Sequence, residues 1–223
     1  MTLRTHRPVP HSSIAVLAVV TGTLMAAYLS IRPYGDGGGA ESLAAAEAFA
    51  SPLWVWSHLA GAGALVASAA LWSSLASARV GLVAALGAAL VLPYYGTETF
   101  ALHAIGQRAL DDAPGALELV PTVRNDPTAM ALFGVGLLAL ASAGLASALG
   151  WRRTHGRGPV AGAFLPLAVL AALFLPQFLL PPVGRIAYGV LFAAAAGYAA
   201  YTLTTFRGAA ATHGPRAFRV PGI

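Results

Sequence analysis

The chain contains no cysteine and no lysine. Without cysteine it forms no disulfide, offers no thiolate nucleophile and holds no Cys-ligated metal. Charge of either sign is scarce: Asp, Glu, Lys and Arg make up 9% of the 223 residues, against roughly 25% in a soluble domain. So little charge cannot coat a water-facing surface. Apolar residues reach 57%, and apolar stretches of about 20 residues, the length that crosses a hydrocarbon core, recur along the chain. Lipid is therefore the expected solvent, and the length suits a single domain, residues 1–223, built as one helical bundle.

Acids are missing from most of the chain. All eight (Asp36, Glu41, Glu47, Glu98, Asp111, Asp112, Glu118 and Asp126) lie between residues 36 and 126. The basic side chains are all arginine, and the net charge of +5 sits mostly near the ends of apolar runs. That distribution reads as topology and contact with anionic lipid rather than nucleic-acid binding.

Six spans are predicted, at about 13–31, 52–75, 80–98, 128–150, 160–180 and 186–206. Ser51-Pro52 reads as a helix start, with Pro tolerated in the first turn. A short Ala-rich helix is predicted from Glu41 to Ala50. Residues 99–127 read as a polar outer connection, and Trp151 to Arg157 as a basic loop. The first span follows Arg4 and Arg7, and its apolar run is longer than a signal-peptide core, so it reads as a retained anchor. With the N-terminus inside, nine arginines fall on the cytoplasmic side and four (Arg32, Arg108, Arg124 and Arg185) on the other, where every acid also lies. The expectation is an all-α polytopic bundle with both termini cytoplasmic, in a bacterial cytoplasmic membrane, with a polar and aromatic cavity in its outer half. Small residues in the spans, among them Gly61, Gly87, Gly134, Gly136 and Gly144, permit close helix packing.

Chemistry concentrates in two stretches. The first is Pro93-Tyr94-Tyr95-Gly96-Thr97-Glu98-Thr99-Phe100, continuing to His103. An ionisable group at membrane depth is costly and usually faces the bundle interior. A buried Glu98 is a candidate proton donor, and helical spacing makes Tyr94 and Tyr95 its neighbours. The competing reading leaves Glu98 solvated beyond the membrane, with the tyrosines as interface anchors. The second stretch is Trp54-Val55-Trp56-Ser57-His58-Leu59-Ala60-Gly61. His58 falls in the outer half of the second span, where it pairs with Glu98, holds a proton, orients a ligand, or simply bonds between helices. Tyr28, Gln177 and Tyr188 fall toward the same half. The pair Asp111-Asp112 suits a divalent cation, but adjacent acids in a loop are usually just solvated. No metal and no cofactor are expected. Only His58 is clearly intramembrane among the histidines, which excludes bis-histidine haem, and no cluster matches a di-iron centre or a Ser-His-Asp triad.

The Trp-x-His-x-x-Gly stretch Trp56 to Gly61 and the Gly-x-Glu-x-Phe stretch Gly96 to Phe100 resemble those of small actinobacterial multi-span proteins. In size, span count and acid-plus-aromatic composition the chain is similar to small bacterial integral-membrane terpene cyclases of natural-product pathways. The resemblance covers spans two and three. It implies isomerising chemistry without net redox: a membrane acid protonates an alkene or epoxide of a lipophilic prenylated substrate, and aromatic faces steady the carbocation. Mapped here, Glu98 is the general acid and His58 its partner or the base. Trp54, Trp56, Tyr94, Tyr95 and Phe100 line the pocket, with His103, Gln177, Tyr188 and Tyr28 as further candidates. No aspartate-rich helix motif supports initiation by loss of diphosphate. Two other roles fit the same composition: binding or transport of a lipid or small hydrophobic molecule, and service as a structural subunit of a membrane complex. The oligomeric state is not legible.

Overall fold

A computed structural model describes residues 9–111 and 113–211, and among them there are helices and no strands. Five helices are long and apolar enough to cross a membrane. The first, α1 (His11–Ile31), packs between α10 (Pro182–Ala211) and α3 (Pro52–Leu75). Beyond α3 lies α4 (Ala78–Gly96), which packs on α7 (Pro127–His155). Two short helices, α2 (Leu43–Ala50) and α6 (Leu119–Arg124), lie in the connections.

Local chemistry sets the starts. Ser51 caps α3 by accepting from the Leu53 amide at 3.2 Å, and Pro52 follows where a missing N–H costs nothing. Asp126 caps α7 in the same way, accepting from the Ala129 amide at 2.7 Å, again just before a proline. Ser42 caps α2 through the Ala45 amide.

The third predicted span does not stop at Glu98. The helix runs on through a π-helical turn, Thr97–Ala101, into α5 (Leu102–Leu110), so much of the expected 99–127 connection is helical. The apolar run persists to Ile105, and nothing breaks it before Asp111. A π turn widens the helix and frees carbonyls from the i→i−4 ladder. Side chains bond carbonyls around the turn: Thr97 donates to Pro93 O at 2.9 Å, Thr99 to Tyr95 O at 2.6 Å, and Trp54 Nε1 to Glu98 O at 2.8 Å. At the other end, α7 continues through the predicted basic loop as far as His155.

The fifth predicted span, 160–180, is not one helix. It is divided into α8 (Pro159–Gly162), α9 (Leu165–Ala172) and a 3-10 turn, Pro176–Leu179. Pro166 and Pro176 lack the amide a continuous ladder needs.

Two apolar clusters form. The larger joins the long helices, with Met25, Leu71, Trp72, Phe164, Leu167 and Phe192 almost fully buried. The smaller joins α2, α5 and α6 across one end of the bundle, through Ala46, Phe49, Trp54, Leu102, Leu117 and Val120. Gly106 makes that roof possible: a Cβ there would stand 2.6 Å from the Ala50 amide nitrogen and 2.9 Å from Ala46 O.

Of the glycines expected to permit packing, Gly87 and Gly136 bring α4 and α7 together. A Cβ on Gly136 would lie 2.7 Å from Gly87 O and 2.6 Å from a Val91 methyl. A carbonyl in a helix cannot swing aside, so the helices must separate. Gly136→Ala is expected to destabilise the protein by about 1–3 kcal/mol, the usual range for overpacking, read as a lower thermal midpoint in detergent. An unchanged midpoint would show that the contact is looser than it stands here.

Candidate functional site

Beneath the roof lies a cavity of about 930 Å³. Its wall is divided by chemistry. Arg32, Asp36, Glu98, Arg124, Asn125 and Arg185 supply charge and hydrogen bonds; Tyr28, Tyr34, Tyr94, Tyr95, Phe133 and Phe178 supply rings; Met130, Leu175, Leu179, Leu180, Pro181 and Pro182 form an aliphatic lip. Leu179 is 89% exposed. Gly134 also faces the cavity, with open space where a side chain would stand.

Glu98 is buried on the wide turn, 8% exposed. Arg124 grips it with two bonds, Nε to Oε1 at 2.8 Å and Nη2 to Oε2 at 3.2 Å. The Tyr94 hydroxyl reaches Oε1 at 3.3 Å. Arg124 Nη2 also donates to Asp36 Oδ2 at 2.9 Å, and Arg32 Nη2 donates to the same oxygen at 2.8 Å. The result is an alternating chain, Arg32, Asp36, Arg124, Glu98, drawn from α1, the turn after it, α6 and the π turn. Such a two-bond guanidinium–carboxylate contact fixes the orientation of the carboxylate as well as its position.

Trp54 is the post around which this chain wraps. It is fully buried. The Arg32 guanidinium lies 4.8 Å and that of Arg124 5.7 Å from its ring centroid, and Phe49 meets it edge-on at 4.8 Å. Cation–π attraction of this kind strengthens when the pair is desolvated.

His58 stands beside Trp54, ring centroids 4.2 Å apart, with Tyr28 edge-on at 5.6 Å. Its Nδ1 is 2.7 Å from Trp54 O. A carbonyl only accepts, so Nδ1 carries the hydrogen and Nε2 is left facing Glu98 Oε2 across 4.0 Å. That gap is too wide for a direct bond. The buried Tyr95 hydroxyl has the Tyr28 phenol as its polar neighbour.

Three groups outside the long helices have shifted proton affinity. Burial pushes the Tyr34 hydroxyl up, and it donates to Leu29 O at 2.8 Å. Burial would raise Asp36 too, but the Arg32 and Arg124 guanidinium groups prevail and hold it below its usual 3.8. Burial works against the Arg124 charge, and Glu98 with Asp36 outweighs it, so its pKa rises. A carboxyl with a depressed folded pKa stabilises the fold above its unfolded value, and that contribution is lost as pH falls through the folded one. Wild type is therefore expected to lose thermal stability as the pH drops below about 4. Asp36→Asn should start less stable at neutral pH and show a shallower acid limb. Parallel acid limbs for the two proteins would contradict this role for Asp36.

The candidates named from sequence divide. Tyr28, His58, Tyr94, Tyr95 and Glu98 line the cavity. Trp54 supports it from behind without lining it. Trp56 and Phe100 point away, 64% and 57% exposed. His103 is half-buried and its Nδ1 donates to Phe49 O at 2.8 Å, tying α5 to α2. Tyr188 donates to Leu170 O, and Gln177 is buried with neither amide atom bonded; neither residue lines the cavity. Asp111 is exposed, and Asp112 lies outside the described residues. No group of three or more His, Cys, Asp or Glu side chains converges on a metal site among the described residues.

Sequence reasoning did not select Arg32, Asp36, Tyr34, Arg124, Arg185 or Phe133 as site residues. Arg32 and Asp36 had a faint signal in their i,i+4 spacing. Arg124 and Arg185 had none, because their partners are distant in the chain.

Comparison with known proteins finds no matching family model, no matching curated protein and no matching solved structure. Fold and site together describe an all-α protein with five helices long and apolar enough to cross a membrane, and an amphipathic cavity lined by an arginine–carboxylate chain.

Proposed function

We propose that this is a multi-pass protein of a bacterial cytoplasmic membrane that takes an amphipathic, isoprenoid-tailed molecule from the bilayer into its cavity. The composition of the cavity wall carries this reading: charged side chains, aromatic rings and aliphatic side chains line one space. Ligand pockets of this class are mostly apolar with a few placed polar groups that fix orientation. The arginine bias supports six crossings with both termini cytoplasmic. The broken segment 159–180 then makes the fifth crossing, and the cavity lies in the outer half. Broken helices at membrane depth are tolerated where they line a cavity, as Leu175, Phe178 and Leu179 do.

A second observation favours chemistry on that ligand, the facing of His58 Nε2 and Glu98 Oε2 across 4.0 Å. An acid and a base side by side in a ring-lined cavity suit protonation-initiated cyclisation. Glu98 would deliver a proton to an alkene or epoxide, and the faces of Tyr28, Tyr94, Tyr95 and Phe133 would steady the cation. His58 would then accept the proton lost as the product forms. Glu98 takes the proton it delivers from water, and His58 passes the proton it accepts back to Glu98 or to water, so the step isomerises without net redox. Arg124 occupies both Glu98 oxygens in the resting site, so delivery of a proton by Glu98 requires ligand entry to draw Arg124 away. Asp36 gives Arg124 a partner to keep when it moves.

The test is purified wild-type protein with a panel of farnesylated and geranylgeranylated acceptors, read by chromatography and mass spectrometry. An isomeric product of unchanged mass establishes cyclisation. An acceptor retained stoichiometrically and unchanged leaves binding as the function. An acceptor neither retained nor converted sinks both and leaves a role in complex assembly.

A further inference from the structure

Cavity charge does not balance. Three guanidinium groups line it, Arg32, Arg124 and Arg185, against two carboxylates, Asp36 and Glu98. Arg32 and Arg124 are committed to those acids. Arg185 forms no ion pair among the described residues. It donates Nε to Leu180 O at 2.9 Å and Nη2 to Phe178 O at 2.6 Å. A guanidinium has five N–H donors, so three remain without a protein acceptor, including both on Nη1. The Arg185 guanidinium carbon stands 5.9 Å from the Tyr34 ring centroid, so its body is positioned as well as anchored. A half-exposed cation fixed by backbone carbonyls, facing a cavity and lacking a counter-charge, offers its free N–H groups to an arriving anion.

We infer that the occupant of this cavity is an anionic amphiphile whose phosphate or carboxylate head seats on Arg185. Its tail lies against the rings and aliphatic side chains that line the same cavity. The inference rests on the amphiphile reading above and names its ligand class. Two carbonyl bonds aim the guanidinium before the ligand comes, which lowers the ordering cost of a two-pronged contact with the head group. Lysine lacks the planar fork and would hold the same charge less well.

The experiment compares farnesyl phosphate, farnesol and inorganic phosphate as probes, with protein in nanodiscs of zwitterionic lipid and native mass spectrometry as the readout. Wild type is expected to bind farnesyl phosphate about tenfold or more tighter than farnesol, the scale of one charge-assisted contact. Inorganic phosphate should bind far more weakly than either. Arg185→Gln should bring farnesyl phosphate down to near the farnesol level, a far larger loss than farnesol itself suffers, and Arg185→Lys should fall between. If Arg185→Gln does not fold, the wild-type preference must still shrink as salt rises and screens the contact.

Equal affinity of wild type for farnesol and farnesyl phosphate overturns the anionic head while the amphiphile reading stands. So does a preference that survives Arg185→Gln. Inorganic phosphate bound as tightly as farnesyl phosphate overturns the amphiphile in favour of a soluble anion. Failure of every probe to bind removes both this inference and the reading beneath it.

Discussion

Replacing Arg124 with glutamine is expected to destabilise the protein by about 3–5 kcal/mol, the cost of stranding a buried carboxylate without its cation. Arg124 is the hinge of the charge chain. It holds Glu98 by two bonds and Asp36 by a third. Asp36 keeps Arg32, but Glu98 keeps only the Tyr94 hydroxyl and the distant His58 Nε2. The loss also frees α6, whose Arg124 guanidinium packs against the Phe49 ring at 5.1 Å. Adding Glu98→Gln should restore much of the stability, because the stranded charge goes with it. Thermal unfolding of the two single variants and the double in detergent measures the coupling directly. A single Arg124→Gln variant within about 0.5 kcal/mol of wild type, the usual scale of a solvated surface change, would mean that water already reaches Glu98 freely.

Glu98→Gln alone should have its largest effect on turnover. The amide keeps the shape, still accepts from Arg124 and leaves Arg124 its bond to Asp36, so the fold should survive. If Glu98 delivers the initiating proton, product formation should fall by roughly 10²–10⁴-fold, the range attributed to a positioned acid or base, while retention of the acceptor persists. The measurement is the yield of isomeric product against bound acceptor for the two proteins. Full turnover by Glu98→Gln would remove it as the acid. Loss of retention as well as turnover would recast Glu98 as part of the binding floor. The same assay on His58→Ala separates the pair: a base that takes the final proton affects product formation, whereas a packing residue affects binding and stability together.

The helical stretches were legible in sequence because lipid imposes a coarse rule, about 20 apolar residues per crossing. Helix α3 begins where Ser51-Pro52 said it would and ends at Leu75 as expected, since cap and proline act within one turn. The end of the third helix was misread at Glu98 because a polar residue in an apolar run looks like a boundary. The π turn resolves it differently: it aims Glu98 inward and carries the helix on to Leu110. The fifth predicted span showed its prolines, but hydropathy could not show that they divide it into three pieces. Trp56 and Phe100 were grouped with Trp54 and Glu98 by proximity in sequence, yet neighbouring positions on a helix point to different faces, and both turned outward.

What the sequence determined alone was the solvent, the helical class and the crowding of acids into residues 36–126, because these depend on local composition and on the cost of charge in hydrocarbon. Only the tertiary structure decided which charges meet. Arg124 is 26 residues from Glu98 and 88 from Asp36. They come together because α2, α5 and α6 bury Phe49, Trp54, Leu102 and Val120 over the end of the bundle. Burying that apolar cluster closes long loops, and pairings set by long-range packing leave no periodic signal in the chain itself.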